Sequence, residues 1–199
     1  MLYGDFFMKK YIQDNINIIL KFSLVCITGI ILGIVMYKFA NQSYVDIIKN
    51  IFEQSKSEDF NGITVLVKGM KNNSIYIVLC YMSLLCIYTP FVLLFLLLLK
   101  CASIGIYICS IFNLFGFSKG ALCALVGVVL PDLFSLFGYI LICTNIIDIH
   151  ENMKNGIRIK VSHGLNYIYI FVISVSLISF SIVIEQLSSN IMLSLYNKI

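Results

Sequence analysis

The sequence predicts an all-α, polytopic membrane helix bundle of about five transmembrane helices, with kinks or breaks at Pro90 and Pro131. Three observations predict it. Hydrophobic residues make up 60% of the 199 positions and charged residues only 12%. Soluble domains carry roughly twice that charge, about 25%. Mean hydropathy is +0.96. The charges are also unevenly spaced, and the gaps between them are as long as a bilayer crossing requires, about 20 residues. Five such spans use about 100 residues, most of the apolar complement, so one membrane domain over 1–199 leaves no room for a soluble catalytic domain.

The charge gaps place the spans. Lys21 and Lys38 bracket 16 uncharged residues, and Lys21 can snorkel, so the first span is 16–38. Lys71 and Lys100 bracket 28, giving a span at 73–99. Lys100 is then a turn, and the 18 residues before Lys119 hold a span at 101–117. Residues 120–147 contain one charge, Asp132, and predict a span at 120–148. Lys160 and Glu185 bracket 24 residues, giving 165–185. In hydrocarbon only helices, or closed barrels, satisfy their own backbone. Lys9, Lys10 and Lys21 hold the N-terminus inside, and the basic loop at 148–164 is inside too, which places the C-terminus outside. The first run ends in Met36-Tyr37-Lys38 without a small-residue cleavage site, so it reads as a retained anchor.

Segment 41–70 is the sizeable extracytoplasmic stretch. Ser43-x-x-Asp46 reads as a capping box. Tyr44, Ile47, Ile48, Ile51 and Phe52 then follow at helical spacing, an apolar stripe for the membrane surface, a partner, or the chain's own bundle. Glu53, Glu58 and Asp59 do not make a glycosidase pair, because so short a segment cannot build the cleft that two carboxyls need.

Pro90 falls deep in the expected second span and predicts a kink. Pro131 and Asp132 fall in the middle of the fourth. One reading makes Asp132 a helix-start residue beside Pro131, with the helix broken into 120–130 and 131–148. The other makes it an intramembrane proton or ion site. Gly29-x-x-x-Gly33 has the spacing that lets two membrane helices approach, within the bundle or between copies in a homo-oligomer. Gly116-x-x-x-Gly120 brackets the expected outer turn. The seven cysteines lie in or beside apolar runs, match no metal or redox spacing, and read as packing residues. Nothing calls for a cofactor or a metal. There is no phosphate-binding loop and no zinc-protease motif, and the net charge of +4 is too scattered for nucleic acid.

The order of these signals resembles the stage II sporulation protein M family of endospore-forming bacteria. The likeness is carried by Gly29-Ile30-x-x-Gly33, Lys71-Asn72-Asn73, Pro90, Lys100 with Ser103-Ile104-Gly105, Gly116-Phe117-x-x-Gly120, Leu130-Pro131 and Ile184-Glu185, over about 15–190. Asp132 and the lack of a proline after Glu185 depart from the pattern. The resemblance implies a non-enzymatic engulfment protein of the mother-cell membrane at the sporulation septum. It would hold two partners, stage II sporulation proteins D and P, which cut peptidoglycan. The alternative reading is a transporter, or a membrane subunit of one, with a midplane site near Asp132.

Overall fold

The computed structural model describes residues 2–39, 62–155 and 161–196, which are helical almost throughout and contain no strand. We number the helices α1 (Leu2–Asp14), α2 (Ile16–Phe39), α3 (Gly62–Met82), α4 (Thr89–Ala124), α5 (Leu130–Lys154) and α6 (Val161–Tyr196). Three stretches among the described residues are long and apolar enough to cross a membrane: Ile16–Phe39, Thr89–Lys154 and Gly164–Ser188. The chain is a multi-pass membrane protein by that measure, but five separate spans are not found. The third and fourth expected spans are two arms of one 66-residue stretch. The second is divided, and α3 carries Lys68, Lys71, Asn72 and Asn73 within its length.

α2 buries Phe22, Cys26, Gly29 and Gly33, spaced by four, three and four residues. Its other faces leave Leu20, Leu24, Ile27, Ile31 and Val35 exposed, as lipid contact requires. The buried face lies parallel to α4. A Cβ on Gly29 would lie 2.7 Å from Cys101 Cβ, one on Gly33 would overlap the Ala102 carbonyl, and one on Gly105 would overlap the Ile30 carbonyl. The Gly29–Gly33 spacing thus packs helices within the chain, the first of its two expected uses.

Residues 83–88 form the turn that the charge gaps placed at Lys100. Ser83–Leu85 make one 3₁₀ turn, and α4 starts at Thr89 with Pro90 in its first turn. Pro90 therefore opens a helix instead of kinking one, because its missing N–H falls where no intrahelical bond is made. Hydroxyls serve the loose carbonyls. Thr89 Oγ1 donates to Ser83 O (2.9 Å) and Cys86 O (2.7 Å), and Ser83 Oγ to Cys80 O (2.6 Å). Lys100 lies inside α4, continuous with the helix on both sides.

Gly116, at φ 72°, reverses the chain. Gly120 returns against the helix it has just left, where a Cβ would lie 3.1 Å from Phe112 Cα. Turn chemistry at Gly116 and Gly120 is as expected. The break expected at Pro131 is a π turn instead, Leu125–Val129, with helical dihedrals at Val129 and Leu130 on the way into α5. A proline inside a helix loses one backbone bond and crowds the preceding turn, and a widened turn absorbs both.

α5 is the central helix, buried continuously from Gly138 to Ile147. α6 packs antiparallel to it, with a Cβ on Gly138 2.9 Å from Ser174 O and the Phe134 and Phe180 rings 5.3 Å apart. α3 lies along α5 and α6: a Cβ on Gly69 would meet Ile182 at 2.9 Å, and the Tyr81 and Phe171 rings are 5.5 Å apart. Residues 62–70, expected in the extracytoplasmic segment, are thus the first turns of a helix in the bundle. Tyr44, Ile47, Ile48, Ile51 and Phe52 lie outside the described residues. Cys26, Cys80, Cys101, Cys123 and Cys143 are buried packing residues; Cys86 is exposed and Cys109 partly so.

Candidate functional site

Lys100 and Asp132 lie equally far along the chain on either side of Gly116, so the reversal brings them to one level. There the Lys100 ammonium lies within electrostatic reach of the carboxylates of Asp132 on α5 and Glu185 on α6. Tyr107, on α4, lies within electrostatic reach of the same two carboxylates. Cys26 and Cys101 pack at this level, close to the middle of α2, so the charges lie deep in the apolar layer. An unpaired charge at a bilayer centre costs about 2.5–3.5 kcal/mol on insertion scales, and opposite charge within reach lowers that cost.

The surroundings hold the cation in place. Lys100 Nζ lies 5.6 Å from the Tyr76 ring centroid and 5.8 Å from that of Tyr139, within cation–π range. Tyr139 is buried and donates its hydroxyl to Asn73 Oδ1 at 2.7 Å, while Asn73 Nδ2 donates to Gly69 O at 3.0 Å. Ser135 Oγ donates to the Asp132 carbonyl at 3.1 Å. Tyr139→Phe should leave Asn73 Oδ1 buried without this donor and cost about 1–3 kcal/mol of stability. Thermal denaturation of the purified protein reads this, and a melting point equal to the parent's would mean that the bond carries nothing.

Asp132 does not sit at a free helix start. The backbone is helical on both sides, so the carboxylate has no open set of N–H groups to cap. Ser135 Oγ, one turn on in the same helix, lies 3.5 Å from the carboxylate, and Lys100 is within electrostatic reach across the bundle. Sequence reasoning singled out Asp132 and missed Lys100 and Glu185, which it had placed at the edges of spans. Pro90, Gly29 and Gly33 lie elsewhere and act as helix start and helix contacts.

A second polar cluster lies at the end of the bundle where α1 meets α2. Asn15, in the one-residue break between α1 and α2, donates to Asp148 Oδ2 at 3.3 Å. Asn152 Nδ2 donates to Tyr167 Oη at 2.7 Å, and Asn145 Nδ2 to Tyr167 O at 3.2 Å. Burial, with the Asp148 carboxylate facing it, pushes the Tyr11 phenol above its ordinary range. A shallow groove of about 310 Å³ opens beside this cluster, lined by Tyr81, Asn145, Ile149, Tyr167, Ile168 and Phe171. No group of three metal-ligating side chains is found among the described residues.

Comparison with protein-family models, with curated proteins and with solved structures finds no match to the chain.

Proposed function

We propose that the chain is a five-pass, non-enzymatic membrane scaffold of the engulfment machinery, holding wall-degrading partners at the septal membrane of a sporulating cell. The observation that carries this reading is that short motifs of the family resemblance meet in space. Gly29-Ile30-x-x-Gly33 and Ser103-Ile104-Gly105 are two halves of one interface, backbone against backbone. Gly116 and Gly120 make the reversal, and Leu130-Pro131 follows the π turn. Lys100 and Glu185 lie within electrostatic reach of each other. Scattered two- to four-residue likenesses thus have common structural reasons, which supports their being one pattern. The tight α2–α4 contact also suits a fixed holder.

In this reading the five passes are α2, α3 with its 3₁₀ extension, the two arms that meet at Gly116, and α6. Partners are stage II sporulation proteins D and P, bound through the apolar stripe at Tyr44, Ile47, Ile48, Ile51 and Phe52. The double variant Ile48→Ser, Phe52→Ser should lower co-purification of those hydrolases at least tenfold at matched membrane level, since ~1.4 kcal/mol suffices and an apolar side chain is worth about 1.5–3 kcal/mol when buried. Full recovery would overturn the stripe's role. A second reading, a transporter subunit, is favoured by the meeting of Lys100, Asp132 and Glu185. Expression confined to sporulating cells would count against it.

A further inference from the structure

The groove beside the second polar cluster contains a group that the protein itself does not satisfy. Asn145 is 1% exposed, and its Oδ1 has no hydrogen-bond partner. Buried polar atoms are nearly always paired. The orientation of the amide is fixed. Nδ2 donates to the Tyr167 carbonyl at 3.2 Å, and a carbonyl can only accept, so Oδ1 cannot take that side. Nδ2 also reaches Tyr81 Oη at 3.4 Å. A hydroxyl that accepts still has its own proton to give. Asn145 and Tyr81 both line the groove, which Ile149, Tyr167, Ile168 and Phe171 complete. One orphaned acceptor and one hydroxyl donor thus sit together in a largely apolar wall.

The groove lies at the edge of the apolar layer. Tyr167, Ile168 and Phe171 belong to the first turns of the apolar stretch Gly164–Ser188, and Asn145 and Ile149 come just before His150 and Glu151 near the end of α5. Tyrosines at such a level mark the boundary between hydrocarbon and head groups. A lipid carries its first polar group at that depth. The volume of about 310 Å³ is at the lower end of the ~300–1,000 Å³ usual for ligand sites, which suits one chain. No charged side chain lines the groove, and Asp148 precedes Ile149, so a phosphate or carboxylate head group would enter without a counter-charge. An ester carbonyl would serve Tyr81 and leave Asn145 Oδ1 unpaired. An ammonium would serve Asn145 but bring a charge into an apolar wall. A hydroxyl donates to one and accepts from the other.

We infer that this groove binds a neutral, single-chain lipid headed by a hydroxyl, drawn from the surrounding leaflet. The hydroxyl donates to Asn145 Oδ1 and accepts from Tyr81 Oη, while the chain runs along Ile149, Ile168 and the Phe171 ring. Asn145 Oδ1 is out of contact with solvent, so the lining must part as the head group enters. Ile168 and Phe171 are exposed and have room to turn outward. The inference does not draw on the engulfment role proposed above.

The test uses the full chain, one copy per lipid nanodisc, and a photoactivatable hexadecanol whose attachment sites are read by mass spectrometry. Labelling should fall on the groove, at Ile168 and Phe171. Hexadecanol should displace the label at least tenfold better than its methyl ether at equal mole fraction in the bilayer, a difference of ~1.4 kcal/mol. The ether keeps the chain and the acceptor and lacks only the donor. Asn145→Leu should bring the alcohol down to the level of the ether. Ile168→Trp, at an exposed position of the lining, should fill the groove and lower labelling at least tenfold without changing the melting temperature. Equal competition by the alcohol and the ether would overturn the proposal whether or not Asn145→Leu folds. So would an alcohol preference that survives in a folded Asn145→Leu, or hexadecylamine displacing the label better than hexadecanol. Labelling that disappears with two copies per disc would also overturn it, since the groove would then be covered by a second chain.

Discussion

Gly33→Leu is expected to give a protein that inserts but does not assemble. The position of a Cβ at Gly33 is already taken by the Ala102 carbonyl, and Gly105 makes the reciprocal contact with Ile30. Neither obstacle is a flexible side chain that could swing away, so α2 and α4 must separate along their length. Overpacking typically costs about 1–3 kcal/mol, and a backbone obstacle belongs at the top of that range or beyond it. For a chain of this size 3 kcal/mol lowers the melting temperature by roughly 6–12 °C. Gly33→Ala should show a smaller fall of the same sign. Gly164→Ala is the control, because a Cβ there meets nothing within 4 Å. If Gly33→Leu melts like the parent, the parallel pairing of α2 with α4 is wrong.

Lys100→Met is expected to be nearly as damaging, for an electrostatic reason. The variant keeps an unbranched side chain but removes the ammonium that lies over the Tyr76 and Tyr139 rings and within electrostatic reach of Asp132 and Glu185. Leaving two carboxylates near each other without their nearby cation is destabilising, read as lower membrane abundance and a lower melting temperature. The sharper measurement is rescue. Lys100→Met combined with Asp132→Asn and Glu185→Gln should recover most of the loss, because the uncompensated charge goes with it. A damaging single change that the triple variant fails to rescue would mean that Lys100 acts through packing alone.

The helical class, the membrane placement and the glycine contacts could be read from the sequence because each depends on local composition. Gly29 and Gly33 declare themselves by spacing, and Gly116 by its place between two apolar runs. The turn at 83–88 could not be read in the same way. Ser83-Leu84-Leu85-Cys86-Ile87-Tyr88 contains no glycine, no proline and no charge, and its carbonyls are satisfied by Ser83 and Thr89. Counting charges assumes that every lysine lies outside the bilayer. Lys100 breaks that assumption because its compensation comes from Asp132 and Glu185, on other helices, and no window along the chain contains all three. The same assumption hid Lys100 and Glu185, which were assigned to a turn and a span end, whereas Asp132 was left open between a helix start and an intramembrane site. Pro90 and Pro131 were read as helix breakers by residue type; their actual roles depend on whether the preceding residues are helical, at Pro131 through the π turn, and a proline alone does not reveal that.

The parallel pairing of α2 and α4 also has a consequence in time. Gly33 and Ala102 are separated by about seventy residues, which take roughly 4–14 s to make at ~5–20 residues per second. Throughout that interval α2 occupies the bilayer with its most adhesive face unmatched, and α3, the next helix made, packs chiefly on α5 and α6, which are made later still. The tightest contact of the finished bundle is therefore not an early one. During synthesis the glycine face of α2 is open to any small-residue helix that diffuses past, including the α2 of a neighbouring nascent chain. How crowded the membrane is with newly made copies, and not only the stability of the final bundle, should then govern how much of the protein reaches its native arrangement.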